Sequence, residues 1–313
     1  MARPATASAA SAAGAPAADD GRGRQGGAAL LVLGGALSTQ FGAAVAALLF
    51  PAAGPLGVVV LRLAVAAVVL MVLVRPRLRG RSRADWGVVA AYGLVLAGMN
   101  ATIYQAIERV PLGVAVTLEF LGPLALAVVM SRRPLDAVWV VLAGAGVLLL
   151  ARAESGGGHG GAGGGLDPVG VAFALAAAVC WAGYILLAAR AGARFPGTDG
   201  LALAMTVGAL AVLPLGVADA GAALVEPRVL ALGAAVALLS SVLPYTLELF
   251  SLRILSTGTF GILMSLGPAL AALAGWLVLG QALAWQQTAA IVMVVLAGAG
   301  SVRFSRPAAR TAA

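Results

Sequence analysis

Two charged side chains lie inside apolar stretches of this sequence, where an isolated charge is costly. Glu119 lies in R-V-P-L-G-V-A-V-T-L-E-F-L-G-P, residues 109–123, and Arg62 lies in the apolar stretch 55–74. A carboxylate in such a segment needs a partner or a water-filled cavity, so Glu119 is a candidate for binding a proton or a cationic substrate group. Arg62 is its natural ion-pair partner, because each charge alone is expensive in lipid. A purely structural pair, or an arginine that donates to backbone carbonyls, explains the sequence equally well.

Further polar and aromatic residues in apolar stretches are candidates for binding a substrate or coupling its movement to protons. Gln40 falls at about the same helical depth as Arg62 and Glu119, about two residues to the outer side of the centre of its stretch. Trp181 and Tyr184 share a helical face, which can hold an ammonium group by cation–π attraction or can simply pack in the core. The other candidates are Asn100, Tyr104, Tyr245, Glu248 and Ser265.

The elements that carry these residues are predicted to be membrane-spanning helices. Of the 313 residues, 61% are hydrophobic and 10% are charged, whereas a soluble domain carries about 25% charged residues. Apolar runs of about 20 residues recur along the chain, and each is long enough to cross a bilayer as a helix. We predict an all-α membrane protein with ten transmembrane helices, at residues 28–48, 55–74, 86–105, 111–130, 134–151, 168–189, 200–219, 229–250, 258–279 and 284–302.

Composition and motifs argue against several other classes of protein. The net charge is +8, but all twenty basic residues are Arg and nearly all lie in connections and tails, so they indicate topology rather than nucleic-acid binding. The single Cys180 excludes an internal disulfide, and the single His159 lies in a Gly-rich connection. H-E-x-x-H, G-x-S-x-G and phosphate-loop motifs are absent from the sequence. We therefore expect no enzyme, no metal and no cofactor. A channel is a weaker alternative, since no repeated ring of charged residues is visible.

The distribution of arginine predicts the orientation of the chain. If the N-terminus is cytoplasmic, sixteen Arg residues lie on the cytoplasmic side and three on the external side. Positively charged residues concentrate in cytoplasmic loops, so both termini are predicted to be cytoplasmic. The same alternation supports the count of ten helices.

The chain is predicted to consist of two related halves of opposite orientation. The Leu-Gly-Pro step at residues 121–123 returns at 266–268, and the Gly-rich connection leaves five helices on each side. An odd number of helices per half inverts the second half, which is a common construction of secondary transporters. The predicted organisation is a disordered cytoplasmic tail at 1–27, a first repeat at 28–152, an external linker at 153–167, a second repeat at 168–302 and a cytoplasmic tail at 303–313.

Several longer motifs resemble the EamA-domain family of the drug/metabolite transporter superfamily, in particular its threonine/homoserine exporter branch. They are E-R-V-P-L-G-V-A-V-T-L-E-F-L-G-P at 108–123, S-R-R-P-L-D at 131–136, V-C-W-A-G-Y-I-L at 179–186, L-P-Y-T-L-E at 243–248 and G-T-F-G-I-L-M-S-L-G-P-A at 258–269. The last motif departs from the family pattern at Gly258, which is Arg there, and at Gly267, which is Glu there.

The resemblance covers essentially residues 28–302 and implies a function as well as a fold. It implies export of small metabolites across the bacterial inner membrane, driven by the proton motive force, with amino acids as the leading substrate class. Cationic drugs or sugars are the alternative substrates on the same fold. The implied partners are a small-molecule substrate, the lipid bilayer and protons.

Overall fold

Helices dominate the computed structural model, which describes residues 19–131, 137–152, 166–252, 254–255 and 257–304. No strand occurs within those ranges. The predicted all-α class is therefore confirmed for the described part of the chain.

Thirteen α-helices, with one 3₁₀ turn and one π turn between them, follow one another in the described residues. The α-helices are α1 (Asp19–Ala47), α2 (Phe50–Val74), α3 (Arg83–Arg109), α4 (Leu112–Glu119), α5 (Leu121–Ser131), α6 (Ala137–Arg152), α7 (Pro168–Arg194), α8 (Asp199–Ala220), α9 (Pro227–Ala237), α10 (Leu243–Leu252), α11 (Thr257–Met264), α12 (Gly267–Leu279) and α13 (Trp285–Phe304). The 3₁₀ turn (Gly221–Val225) follows α8, and the π turn (Leu238–Val242) joins α9 to α10. Helix α1 begins at Asp19, so the tail expected at 1–27 overlaps its first turns, and residues 1–18 lie outside the described ranges.

Eight helical segments in the described residues are long and apolar enough to cross a membrane. They are Gly26–Ala47, Phe50–Val74, Arg83–Arg109, Leu112–Met130, Pro168–Arg194, Asp199–Val225, Thr259–Leu279 and Trp285–Arg303. The other two predicted spans, at 134–151 and 229–250, coincide with shorter apolar helices, Val138–Leu149 and Pro227–Val242. The fifth predicted span begins in residues outside the description, and the π turn interrupts the eighth.

Two spans are interrupted at matching positions of the repeated Leu-Gly-Pro step. Helix α4 ends at Glu119 and helix α11 ends at Met264. Pro123 and Pro268 each lie four residues further on, and proline has no N–H to donate to the carbonyl four residues before it. Each break therefore falls where the proline removes a helical hydrogen bond, and Glu119 lies at the break in the first half.

The π turn and the following proline free two backbone carbonyls in the segment that links α9 and α10. The Leu243 N–H donates to the carbonyl of Leu238, five residues earlier, rather than to that of Leu239. Position 244 is proline, so the Ser240 carbonyl also loses its usual helical donor. Both carbonyls are then available to side chains from other helices.

Most of the extensive helix contacts join the two halves of the chain. Helix α3 packs against α7 and α8, α2 against α8, α1 against α10 and α12, α4 against α7 and α12, and α6 against α13. Small residues permit this close approach. At Gly122, a Cβ atom would overlap the backbone carbonyl of Ala178, so α5 and α7 are in direct backbone contact there. The core of the bundle thus lies at the interface of the halves.

Charged residues fasten the connections between helices. Arg81 lies 3.6 Å from Asp199, and Arg194 lies 3.1 Å from Asp85. Asp85 also forms a capping box with Ser82 at the start of α3. These contacts tie the α2–α3 connection to the α7–α8 connection.

A carboxylate from α8 caps an interrupted turn near the beginning of α2. Gly54 has a positive φ of 63°, a conformation that glycine adopts readily and other residues rarely do. The Leu56 N–H, which follows this kink, donates to an Asp219 carboxylate oxygen at 2.9 Å. Asp219 thereby fixes this end of the α2–α8 pair, and at the opposite end Asp199 accepts a hydrogen bond from the Arg77 N–H, just after α2, at 3.3 Å.

Candidate functional site

A cavity of about 200 Å³ lies among helices from both halves of the chain. Helices α1, α2, α3 and α4 line it from the first half, and α7, the α9–α10 segment and the α11–α12 break line it from the second. Seven of the ten residues selected from the sequence lie on its wall. They are Gln40, Arg62, Asn100, Tyr104, Glu119, Trp181 and Tyr184.

Arg62 is held by groups from both halves. Its Nη1 donates to the Tyr104 hydroxyl at 3.1 Å, its Nη2 donates to the Ser240 carbonyl at 3.1 Å, and its Nε donates to the Ser241 hydroxyl at 3.3 Å. The guanidinium carbon also lies 5.6 Å from the centre of the Tyr104 ring, a cation–π distance. Arg62 therefore anchors α2 and α3 to the segment between α9 and α10.

The direct ion pair expected between Arg62 and Glu119 is not formed. The ion pairs within 4 Å among the described side chains do not include these two residues. The reason is the carbonyl of Ser240, which Pro244 leaves without its helical donor and which Arg62 supplies with a hydrogen bond. This matches the alternative in which the arginine donates to backbone groups. The neighbouring Leu239 carbonyl accepts from the Ser38 hydroxyl at 2.6 Å.

Glu119 lies at the end of α4, beside the break before α5, and is 8% exposed. It lines the same cavity as Arg62. A proton or a substrate that reaches this carboxylate therefore does so through the cavity.

Aromatic side chains form one wall of the cavity. The ring of Trp181 lies 5.9 Å from that of Phe120 in an edge-to-face arrangement, and both residues line the cavity. The ring of Tyr184 lies 5.3 Å from that of Tyr92, which is buried between helices. Trp181 and Tyr184 thus combine core packing with a surface open to the cavity, so the two interpretations of these residues are compatible.

Of the remaining three candidates, only Ser265 has a described side chain, and it does not line the cavity. Ser265 is fully buried in the α11–α12 break, and its hydroxyl donates to the Ile262 carbonyl at 2.6 Å. A Cβ atom on Gly298 of α13 would meet the Ser265 Cβ at 3.0 Å, so this side chain faces α13. Ser265 therefore lies against α13 and away from the cavity, contrary to the placement expected from the sequence. The side chains of Tyr245 and Glu248 lie outside the described residues.

Several residues of the cavity escaped the sequence reasoning. Ser240 lines it and Ser241 supports Arg62, both at the π turn. Thr39 and Gly267 also line it. The sequence holds one signal for Ser240 and Ser241, which lie four and three residues before Pro244 in an apolar stretch. Proline leaves the carbonyl four residues before it without a helical donor, so a polar contact is expected there.

No cluster of three or more His, Cys, Asp or Glu side chains occurs among the residues that the structure describes. The charged chemistry of the cavity consists of one guanidinium and one carboxylate among the described side chains, accompanied by hydroxyl, amide and aromatic groups. Such a set can bind a small zwitterion and can exchange a proton at the carboxylate.

Comparison with known proteins shows that this chain is similar to transporters and exporters. The profile of the EamA-like transporter family matches residues 168–302. The chain is 44% identical over 265 residues to the threonine/homoserine exporter RhtA of Escherichia coli (strain K12), an alignment that covers 84% of this chain and 87% of that protein. RhtA of Salmonella typhimurium (strain LT2) gives the same identity and coverage. The aligned region thus includes most of both proteins.

A solved protein crystal structure shows that the fold also occurs elsewhere. It superposes with a TM-score of 0.60 and 21% sequence identity, covering 90% of this chain and 98% of the other. At that identity the likeness concerns the fold alone.

Proposed function

The chain belongs to the EamA-like transporter family of membrane proteins, and on that premise we propose that it is a secondary active exporter of small amino acids such as threonine and homoserine. The proton motive force drives the export. The proposal rests on the cavity between the two halves. Arg62 and Glu119, which lie in apolar helices, both line this cavity.

The two charges match the two charges of an amino acid. An α-amino acid carries a carboxylate and an ammonium group near neutral pH. The Arg62 guanidinium attracts the carboxylate, and the Glu119 carboxylate attracts the ammonium group. The Trp181 and Tyr184 rings add cation–π attraction for the same ammonium group. Because charges inside a membrane are expensive, a pair that serves a zwitterionic substrate explains why both residues are present.

The size of the cavity favours small metabolites over cationic drugs. Its volume is about 200 Å³, whereas pockets for drug-sized ligands measure roughly 300–1,000 Å³. Sugars lack the charges that Arg62 and Glu119 would complement. An intramembrane enzyme or a channel receives no support from these features.

Glu119 couples substrate movement to protons in this proposal. Its carboxylate faces the cavity without a described ion pair to Arg62, so substrate ammonium and proton compete for it. A brace between α2 and α4 is the alternative role, and it loses support because Arg62 binds Tyr104 and Ser240 instead.

The transporter is built as ten transmembrane helices in two inverted repeats of five. The packing of the helices supports this, because several of the main contacts recur when the halves are exchanged and α4 and α5 are matched with α11 and α12. Helix α3 packs on α7 as α10 packs on α1, and α5 packs on α7 as α12 packs on α1. The pairs α2–α8 and α6–α13 map onto themselves. The breaks beside Glu119 and Met264 are a further match between the halves.

Both termini lie in the cytoplasm, and the linker at 153–167 is external, since sixteen Arg residues then face the cytoplasm and three face outwards. Reporter fusions at residue 160 and at the C-terminus test this. The proposal expects a periplasmic reporter to be active only at residue 160. Activity at the C-terminus would contradict the ten-helix arrangement.

A counterflow panel in proteoliposomes tests the substrate class. Vesicles loaded with an amino acid, a cationic drug or a sugar are diluted into the same labelled compound, and label uptake is followed. We expect uptake for small amino acids such as threonine and homoserine and none for the drug or the sugar, and an Arg62→Met variant should lose the amino-acid uptake. Uptake of the drug or the sugar, without amino-acid exchange, would overturn the proposed substrate class.

A further inference from the structure

Gly267 leaves open space in the wall of the cavity. It is buried and lines the cavity at the beginning of α12. Among the described residues, a Cβ atom built on it would approach only Gln40 Nε2, at 4.0 Å. Because the residue is shielded from the outside of the protein, the open space at its Cβ position belongs to the cavity.

Neither backbone conformation nor helix packing requires glycine at this position. The glycines with positive φ among the described residues do not include Gly267. In the first copy of the Leu-Gly-Pro step, by contrast, Gly122 packs directly against the Ala178 backbone and has no room for a Cβ atom. The two copies therefore use glycine differently, since Gly122 permits a helix contact and Gly267 keeps a volume empty.

In the described part of the chain, α1 and α11 contribute only uncharged groups, small or adaptable, to the cavity wall. Helix α1 presents Ala36, Gln40 and Ala43 to the cavity from one helical face, and α11 presents Met264. The two cavity charges come from other helices, Arg62 from α2 and Glu119 from α4. The primary amide of Gln40 can donate or accept a hydrogen bond, so it can serve a hydroxyl group at different positions.

We propose that Gly267, Gln40 and Met264 form the subsite for the side chain of the transported amino acid, and that Gly267 sets the largest side chain accepted. The subsite takes a short, uncharged side chain and pairs its hydroxyl group with the Gln40 amide. This assignment rests on the proposed amino-acid export.

Gly267→Ala and Gly267→Leu test the subsite by counterflow in proteoliposomes with glycine, alanine, threonine and homoserine. Leucine fills the open volume, and one methylene of excess size in a binding pocket costs roughly 10–200-fold in discrimination. We therefore expect Gly267→Leu to lower threonine and homoserine exchange at least tenfold relative to glycine exchange. Gly267→Ala should produce a smaller shift in the same direction.

Gly144→Leu is the matched control, because a Cβ atom at Gly144 also meets open space but on the exposed face of α6. It should change neither the melting temperature nor the ratio of threonine to glycine exchange. Equal losses for all four amino acids in Gly267→Leu, or an unchanged ratio, would overturn the subsite.

A labelling experiment separates failure of the subsite from failure of the proposed function. In a Cys180→Ser background, Gly267→Cys should react with a water-soluble methanethiosulfonate reagent, and threonine should slow the reaction. An unreactive cysteine at 267 would overturn the subsite while leaving amino-acid export intact. The other outcome is a cysteine that reacts but is not protected by any amino acid, in protein that exchanges no amino acid. That outcome would overturn both the proposed function and the subsite.

Discussion

The hydrogen bond from Arg62 to Tyr104 offers a quantitative test of how Arg62 is held between α2 and α3. Arg62 Nη1 lies 3.1 Å from the Tyr104 hydroxyl, and Tyr104 is 1% exposed. Tyr104→Phe removes the hydroxyl but keeps the ring, so the cation–π contact at 5.6 Å remains. A hydrogen bond to a charged group contributes about 1.5–3 kcal/mol, and losing it leaves a buried donor without this acceptor. We therefore expect the free energy of unfolding to fall by about 1.5–3 kcal/mol.

Denaturant titration in mixed detergent micelles measures that free energy for the wild type, Tyr104→Phe, Arg62→Met and the double variant. The double-mutant cycle isolates the pair, because each single change removes the same interaction. A coupling energy of about 1.5 kcal/mol or more supports the anchor. A coupling energy below about 0.5 kcal/mol, the usual limit of additivity for independent sites, would refute it.

Two further changes test the packing between helices. Gly122→Ala should destabilise the protein by about 3 kcal/mol or more, because the new Cβ meets the rigid Ala178 backbone. Gly144→Ala, whose Cβ meets open space, should be near neutral. Equal melting temperatures for the two purified variants would contradict the close contact at Gly122. Asp219→Ala should lower the free energy of unfolding by about 0.5–2 kcal/mol, because the Leu56 N–H loses the carboxylate oxygen that caps it at 2.9 Å. An unchanged denaturation midpoint would show that this cap does not contribute to stability.

The sequence allows most spans and the main charges of the cavity to be predicted, because both follow from local composition. Eight predicted spans coincide with helices of membrane length. Gln40, Arg62 and Glu119 were placed at one depth from helical rise alone, and all three line one cavity. Depth along a helix is a local property, so one sequence suffices for it.

The contacts of Arg62 were beyond sequence reasoning for a physical reason. Its partners at Ser240 and Ser241 come from the other half of the chain, and the Ser240 carbonyl can accept from Arg62 because Pro244 supplies no helical donor. A wider helical turn leaves no periodic signal in an apolar stretch. The direction of Ser265 was missed for a related reason, because the break after Met264 turns its side chain towards α13.

Gly267 illustrates a second limit. Gly122 and Gly267 occupy equivalent places in the repeated Leu-Gly-Pro step, yet only one of them has room for a side chain. The difference depends on which helix lies opposite, α7 in one case and the cavity beside α1 in the other. Which helices pack against each other depends on residues far apart in the sequence, so it cannot be predicted from a local sequence motif.

Proton-driven export through Glu119 is tested most directly with the Glu119→Gln variant. Wild-type and variant proteins are reconstituted in vesicles, a pH gradient is imposed, threonine flux is followed, and melting temperatures are taken on the same preparations. Glutamine is isosteric and keeps hydrogen-bonding capacity. We predict a variant that melts within a few degrees of the wild type and has lost gradient-driven flux. A stable variant with unchanged, pH-coupled threonine flux would contradict the account.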